Sequence, residues 1–178
     1  MNESVIEYAM NNTWVVADPH FGHAGVCRFL RNDGTKLRPW DHPDDMDKAL
    51  VENWNSVVED KDRVYVLGDV VINRRCLPTI GLCKGRKVLV KGNHDIFKLK
   101  DYEPYFDDIR AYVVGKTHSG FMYIMSHIPI HPDSLGRFGV NIHGHLHSNK
   151  LDDPRYICVS VEHTDFKPKN LNEIIKDR

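Results

Sequence analysis

Cysteine is scarce: Cys27, Cys76, Cys83 and Cys158 are the only four in 178 residues, and no two form a Cys-X-X-Cys pair. That spacing excludes a zinc knuckle and a thioredoxin-type redox motif, and it reads as reduced, mostly buried thiols. Neither sign of charge is in excess, since 24 Lys and Arg against 25 Asp and Glu leave −1. A broadly basic surface that tracks a nucleic-acid backbone is therefore disfavoured. The longest apolar runs fall far below a membrane span. Met1-Asn2-Glu3-Ser4 lacks the basic start and apolar stretch of a secretory leader, so a cytoplasmic chain is expected. Gly115-Lys116-Thr117 mimics the end of a phosphate-binding P-loop, but Arg110 stands where the first glycine is required. A Gly-X-Ser-X-Gly motif is also missing, which removes support for a serine hydrolase.

What is present describes an ordinary globular protein, with 41% hydrophobic and 28% charged residues. The length predicts one domain over residues 1–178. Short β-branched runs alternate with helical patterns, which predicts a mixed α/β fold. Strands are expected at Thr13 to Ala17, Val64 to Leu67, Lys87 to Val90, Phe121 to Met125, Gly139 to Ile142 and Tyr156 to Val161. The clearest helix carries Met46, Ala49, Leu50, Trp54, Val57 and Val58 at spacings of three to four, with Asp44 or Asp45 as its cap. Weaker helices are expected in Cys76 to Cys83 and Leu171 to Lys176, and Arg31 to Pro43 reads as a long loop.

The residues after the strands are more informative. Five apolar runs end in Asp18-Pro19-His20, Gly68-Asp69, Gly92-Asn93-His94-Asp95, Ser126-His127 and His143-Gly144-His145-Leu146-His147. Ligands bind at the carboxyl ends of strands in α/β sheets. Asp18, Asp69, Asn93, His20, His127, His145 and His147 make an oxygen and nitrogen donor set without thiolate, suited to Mn, Fe, Zn, Ni or Co. Seven donors exceed one tetrahedral ion, whereas two ions sharing a carboxylate would use them all. Such a pair polarises a phosphoryl oxygen and lowers the pKa of a shared water enough to supply hydroxide near neutral pH. The glycines at 68, 92 and 144 are expected to relieve sharp turns at these strand ends. His94, beside Asn93, would face the substrate and either protonate a leaving alkoxide or stabilise its charge, with Asp95 as an orienting partner.

In this order the five motifs resemble the signature of the calcineurin-like metallophosphoesterase superfamily, and the whole chain is similar to its small, cap-less members. The resemblance implies a four-layered α/β/β/α sandwich with the site at the strand ends. It implies Asp18, His20 and His147 on one metal, Asn93, His127 and His145 on the other, Asp69 bridging, and His94 as general acid. Asp18-Pro19-His20-Phe21-Gly22-His23 and Phe166-Lys167-Pro168 also resemble a narrower bacterial and phage group, which implies His23 near the metals.

Other signals read as structure or solvent. Pro129 and Pro132 argue against a helical zinc pair at His127 and His131, leaving His131 in a loop. His143 is expected either to alternate away from its neighbours' face or to support its loop, and His42, His118 and His163 to be solvated. Arg31, Arg38 and Arg137 sit in loops that would overhang the site, although solvation is the default for a surface arginine. Arg74, Arg75, Lys84, Arg86 and Lys87, with no acidic residue among them, read as a solvated face or a local nucleic-acid footprint. The resulting expectation is a metal-dependent phosphodiesterase holding two divalent transition-metal ions, Mn first among them. Its substrate would be a small or nucleotide phosphodiester, with an oligonucleotide as a variant. The alternatives are a phosphomonoesterase or protein phosphatase, and a non-catalytic protein-binding module on the same scaffold.

Overall fold

Val15, Val16, Val64, Val66, Val88 and Val90 are β-branched residues that suit a pleated, buried surface. The computed structural model, which describes residues 12–176, places them in adjacent parallel strands: β1 (Thr13–Val16), β2 (Arg63–Val66) and β3 (Arg86–Val90). β4 (Asp108–Arg110) extends this sheet in parallel, and β9 (Lys169–Asn170) closes its other edge antiparallel to β1, giving the order β4-β3-β2-β1-β9. A second sheet has the order β5-β6-β7-β8, from β5 (Val113–Lys116), β6 (Met122–Ser126), β7 (Val140–His143) and β8 (Tyr156–Cys158). The last three are parallel, and β5 and β6 are antiparallel.

The side-chain period of two along each strand sorts the core into layers. Val16, Val64, Val66 and Leu89 share one buried cluster with Met46, Leu50, Trp54, Leu77 and Ile80. Val15, Ala17, Leu67 and Val90, on the opposite face, pack with Tyr123, Met125, Val140 and Ile142 of the second sheet. Leu171 and Ile175 of α4 (Leu171–Ile175) seal the same cluster. Ile124 and Tyr156 on the outer face of the second sheet meet Leu135 of α3 (Pro132–Leu135). The layers are thus helices on sheet on sheet, and the helical layer expected beyond the second sheet consists of the single-turn α3 among the described residues.

Helix α1 (Pro43–Asn55) buries Met46, Leu50 and Trp54, spaced by four, and each such side chain contributes roughly 1.5–3 kcal/mol. Its expected cap is corrected. His42 occupies the N-cap position without a side-chain hydrogen bond and Pro43 opens the helix, while Asp44 and Asp45 lie inside the first turn. There the two carboxylates favour the positive end of the helix dipole. Leu99–Tyr102 forms α2, and the expected helix at Cys76 to Cys83 is a 3-10 segment over Arg74–Leu82.

The final expected strand, Tyr156 to Val161, divides at Cys158. Beyond it the chain crosses from the second sheet to the first. Ala17 N donates to Val159 O at 3.0 Å, and Val161 N donates to Ala17 O at 3.1 Å. This crossing sets Ser160 and Glu162 beside the end of β1. Met1 to Ser4, on which the leader expectation rests, lie outside the described residues. No helix among the described residues is long and apolar enough to cross a membrane.

Candidate metal centre

All seven expected ligands leave their strands at the same rim. Asp18 and His20 follow β1, Asp69 follows β2, Asn93 follows β3, His127 follows β6, and His145 and His147 follow β7. Five of them have left-handed backbones: Asp18 (φ 58°), His20 (51°), Asp69 (55°), His145 (70°) and His147 (49°). This region is sterically costly for residues with a Cβ and accumulates at functional sites. Only two other non-glycine residues in the described chain, Asp165 and Phe166, share it.

The glycines at the rim divide into two roles. Gly68 has φ +83°, as a sharp turn requires. Gly92 is needed for proximity instead, since a Cβ there would lie 2.2 Å from Asp69 Oδ1 and 2.6 Å from Asp69 N.

Two three-residue clusters result, Asp18 with His20 and His147, and Asp69 with His127 and His145; within each, one donor atom per residue lies within 4.8 Å of the others. Asp69 Oδ2 stands between them, 3.7 Å from His20 Nε2 and 3.5 Å from His127 Nε2. Asn93 Oδ1 completes the second cluster at 2.8 Å from His127 Nε2 and 2.9 Å from His145 Nδ1.

The donors suit divalent cations. His127 Nδ1 lies 2.8 Å from Leu67 O, an acceptor, which assigns a proton to Nδ1 and leaves Nε2 as the nitrogen turned toward the cluster. Asp18 is fully buried; its Oδ2 accepts from Ser160 Oγ at 2.6 Å and His145 N at 2.9 Å. Asp18 Oδ1 and both ring nitrogens of His20 are buried without a hydrogen-bond partner. Burial pushes Asp18 up to about 6, against the charges of His147 and His127 and the Ser160 hydrogen bond. Burial likewise holds His20 well below the usual histidine range, aided by the charge of Arg38. Neutral imidazole and an anion short of partners are the forms that bind a cation.

His94 is exposed at the mouth, its ring 5.8 Å from that of His20, and its backbone N–H donates to Asp69 Oδ1 at 2.8 Å. Asp95 does not orient it, which corrects the expectation. The buried Asp95 carboxylate accepts from the backbone N–H groups of Asp69 (2.8 Å), Val70 (3.1 Å) and Gly92 (2.8 Å), tying the β2 and β3 loops together. Asp95→Ala would strand three donors and is expected to lower stability by about 3 kcal/mol. That corresponds to a fall in Tm of roughly 10 °C, checked by thermal unfolding.

His23 lies beside the first cluster, its ring 5.6 Å from His20 and 6.0 Å from the Phe29 ring. His143 is buried with Nδ1 at 2.8 Å from Gly144 O, in the expected supporting role. His131 is exposed, and its Nδ1 accepts from Asp133 N at the start of α3. Arg31 donates to Lys36 O and Leu37 O, and lines a cleft of about 210 Å³ with Asn32, Asp33, Ser148 and Asn149. Arg137 lies 5.6 Å from the Phe138 ring. The basic run is not a uniform patch, because Arg74 and Arg86 pair with Asp101 and Asp107 and Lys87 is buried against Cys83 O and Gly85 O.

Arg38 departs most from its sequence reading. Instead of being solvated it has no exposed surface, and it donates to Asp18 O at 2.6 Å, Pro19 O at 2.7 Å and the equally buried Glu162 carboxylate at 2.8 Å. Glu162 Oε1 in turn lies 3.2 Å from His147 Nδ1. Burial would raise Glu162, but the His147 hydrogen bond and the Arg38 charge prevail and hold it down to about 2. Neither Glu162 nor Ser160 lies in a motif: Ser160 falls inside the run read as the last strand and Glu162 directly after it, so nothing in the sequence singled them out.

No family model matches the chain. An uncharacterized protein of Methanocaldococcus jannaschii is 32% identical over 179 residues, covering 94% of this chain and 92% of that protein. The gene 66 protein of a Mycobacterium phage is 28% identical over 205 residues, covering 94% and 98% respectively. The crystal structure of a protein of unknown function from Aquifex aeolicus superposes with a TM-score of 0.69 at 26% identity, covering 93% of this chain and 98% of that one. End-to-end coverage at this identity shows that the chain belongs to the family of the Methanocaldococcus jannaschii protein.

Proposed function

We propose that this chain is a cytoplasmic, dinuclear metal-dependent phosphoesterase with the four-layered architecture of the calcineurin-like enzymes, acting on a phosphodiester. The observation that carries this reading is Asp69 Oδ2, set 3.7 Å from His20 Nε2 and 3.5 Å from His127 Nε2 between two separate Asp/His clusters. Asp18, His20 and His147 would hold one ion, and Asn93, His127 and His145 the other, with Asp69 shared. Two divalent ions so held, manganese first, would polarise the phosphoryl group and supply hydroxide near neutral pH.

The protein's own groups do the rest. Ser160 and the His145 N–H fix the Asp18 carboxylate. Leu67 O fixes the tautomer of His127, and Asp95 clamps the loops that carry Asp69 and His94. His94, exposed beside His20, is free to meet the leaving oxygen and transfer a proton to it. The near-neutral charge favours a small or nucleotide diester over a long duplex.

The test is hydrolysis by the Mn-loaded protein of an activated aryl phosphodiester beside the matching monoester. Faster cleavage of the diester is expected. A preference for the monoester would make it a phosphatase, and no cleavage of either by metal-loaded protein would favour a binding scaffold.

A further inference from the structure

We propose that Glu162, anchored by Arg38, is the positioning residue that sets the tautomer and aim of His147 and thereby the affinity of the first metal position. The inference rests on the metal-centre reading above and deepens it. Glu162 Oε1 is acceptor-only when ionised, so at 3.2 Å from His147 Nδ1 it takes the Nδ1–H and leaves Nε2 with its lone pair. A carboxylate behind a ligating histidine fixes ring orientation and raises ligand basicity.

What holds the carboxylate is equally specific. Glu162 and Arg38 are both without exposed side-chain surface, and Arg38 Nε and Nη2 each lie 2.8 Å from Glu162 Oε1. The same guanidinium donates to the carbonyls of Asp18 and Pro19. One buried cation therefore ties together the turn that carries Asp18 and His20 and the carboxylate behind His147, that is, all three ligands of the first cluster. A planar five-donor fork can serve these acceptors together, which an ammonium cannot. The second cluster is built differently, for its His127 is backed by the neutral Leu67 carbonyl. Loss of Glu162 should consequently weaken one metal position and spare the other.

The experiment is a Zn titration of the full chain carrying isotope-labelled histidine, which follows His20 and His147 separately from His127 and His145. In the unmodified protein both pairs should respond. In Glu162→Ala the His20 and His147 response should need about 10–100-fold more Zn, with the His127 and His145 response unchanged as an internal control of folding. Glu162→Gln, whose amide oxygen still accepts the Nδ1–H, should recover part of that loss. Identical titration curves for Glu162→Ala and the unmodified protein, or equal weakening of both pairs, would overturn the proposal. An unmodified protein in which neither pair responds would overturn the metal-centre reading itself.

Discussion

Asp69→Ala is expected to lower kcat/KM for the aryl diester by at least roughly a thousandfold and to leave the protein unable to retain two ions. The size of the effect follows from the two roles this carboxylate combines. Oδ2 faces His20 and His127, one from each cluster, and Oδ1 accepts the His94 N–H at 2.8 Å. Gly92 packs directly against it, with no room for a Cβ. Removing the side chain would thus delete the proposed shared ligand and release the loop that presents Asn93 and His94. Asp69→Asn separates these effects. It keeps an acceptor for the His94 N–H but lacks the charge, so it should hold the loop and still lose turnover. Turnover and metal content measured on the same samples decide the matter, and an Asp69→Ala protein that still cleaves the diester would refute a dinuclear mechanism.

His94→Ala is expected to behave differently, with both ions retained and turnover reduced by about 10²–10⁴-fold. The deficit should be smallest for a nitrophenolate, which leaves without a proton, and largest for an alkoxide. The structure makes this a clean test. The His94 ring is exposed, so its removal opens no cavity, and its role in holding the loop belongs to the backbone N–H, which alanine keeps. Rates across diesters of rising leaving-group pKa measure the effect, and a constant ratio along the series would exclude proton transfer by His94.

The rim was legible because each ligand follows an apolar run, and a strand end is a local feature. What was not legible depended on contacts distant in sequence. Arg38 lies in a loop rich in charge, Gly and Pro, where solvation is the natural expectation. Its partner Glu162 is 124 positions away, so no local pattern could announce that the two are buried together. Asp95 sits beside His94 in sequence, yet its carboxylate turns inward to three backbone N–H groups. β4, β5 and β9 were missed for another reason. They are edge strands of two to four residues that contain Arg, Lys or Gly, whereas the equally short edge strand β8 continues an apolar run into Val159. The six strands read from the sequence were all found, with ends shifted by one residue or by the crossing after Cys158.

The five left-handed ligands have a consequence for the history of this chain. Each holds a conformation that glycine would adopt with less strain, at a cost of about 1–2 kcal/mol for a residue with a Cβ. A selection for thermal endurance alone would therefore favour glycine at some of these positions, most readily at the half-exposed His145, where little packing is lost. The centre is thus the first part of the fold that such a selection would erode. Glycine at any of the five would relieve that strain and at the same time remove a donor from the candidate centre, so stability and metal binding are set against each other at these positions.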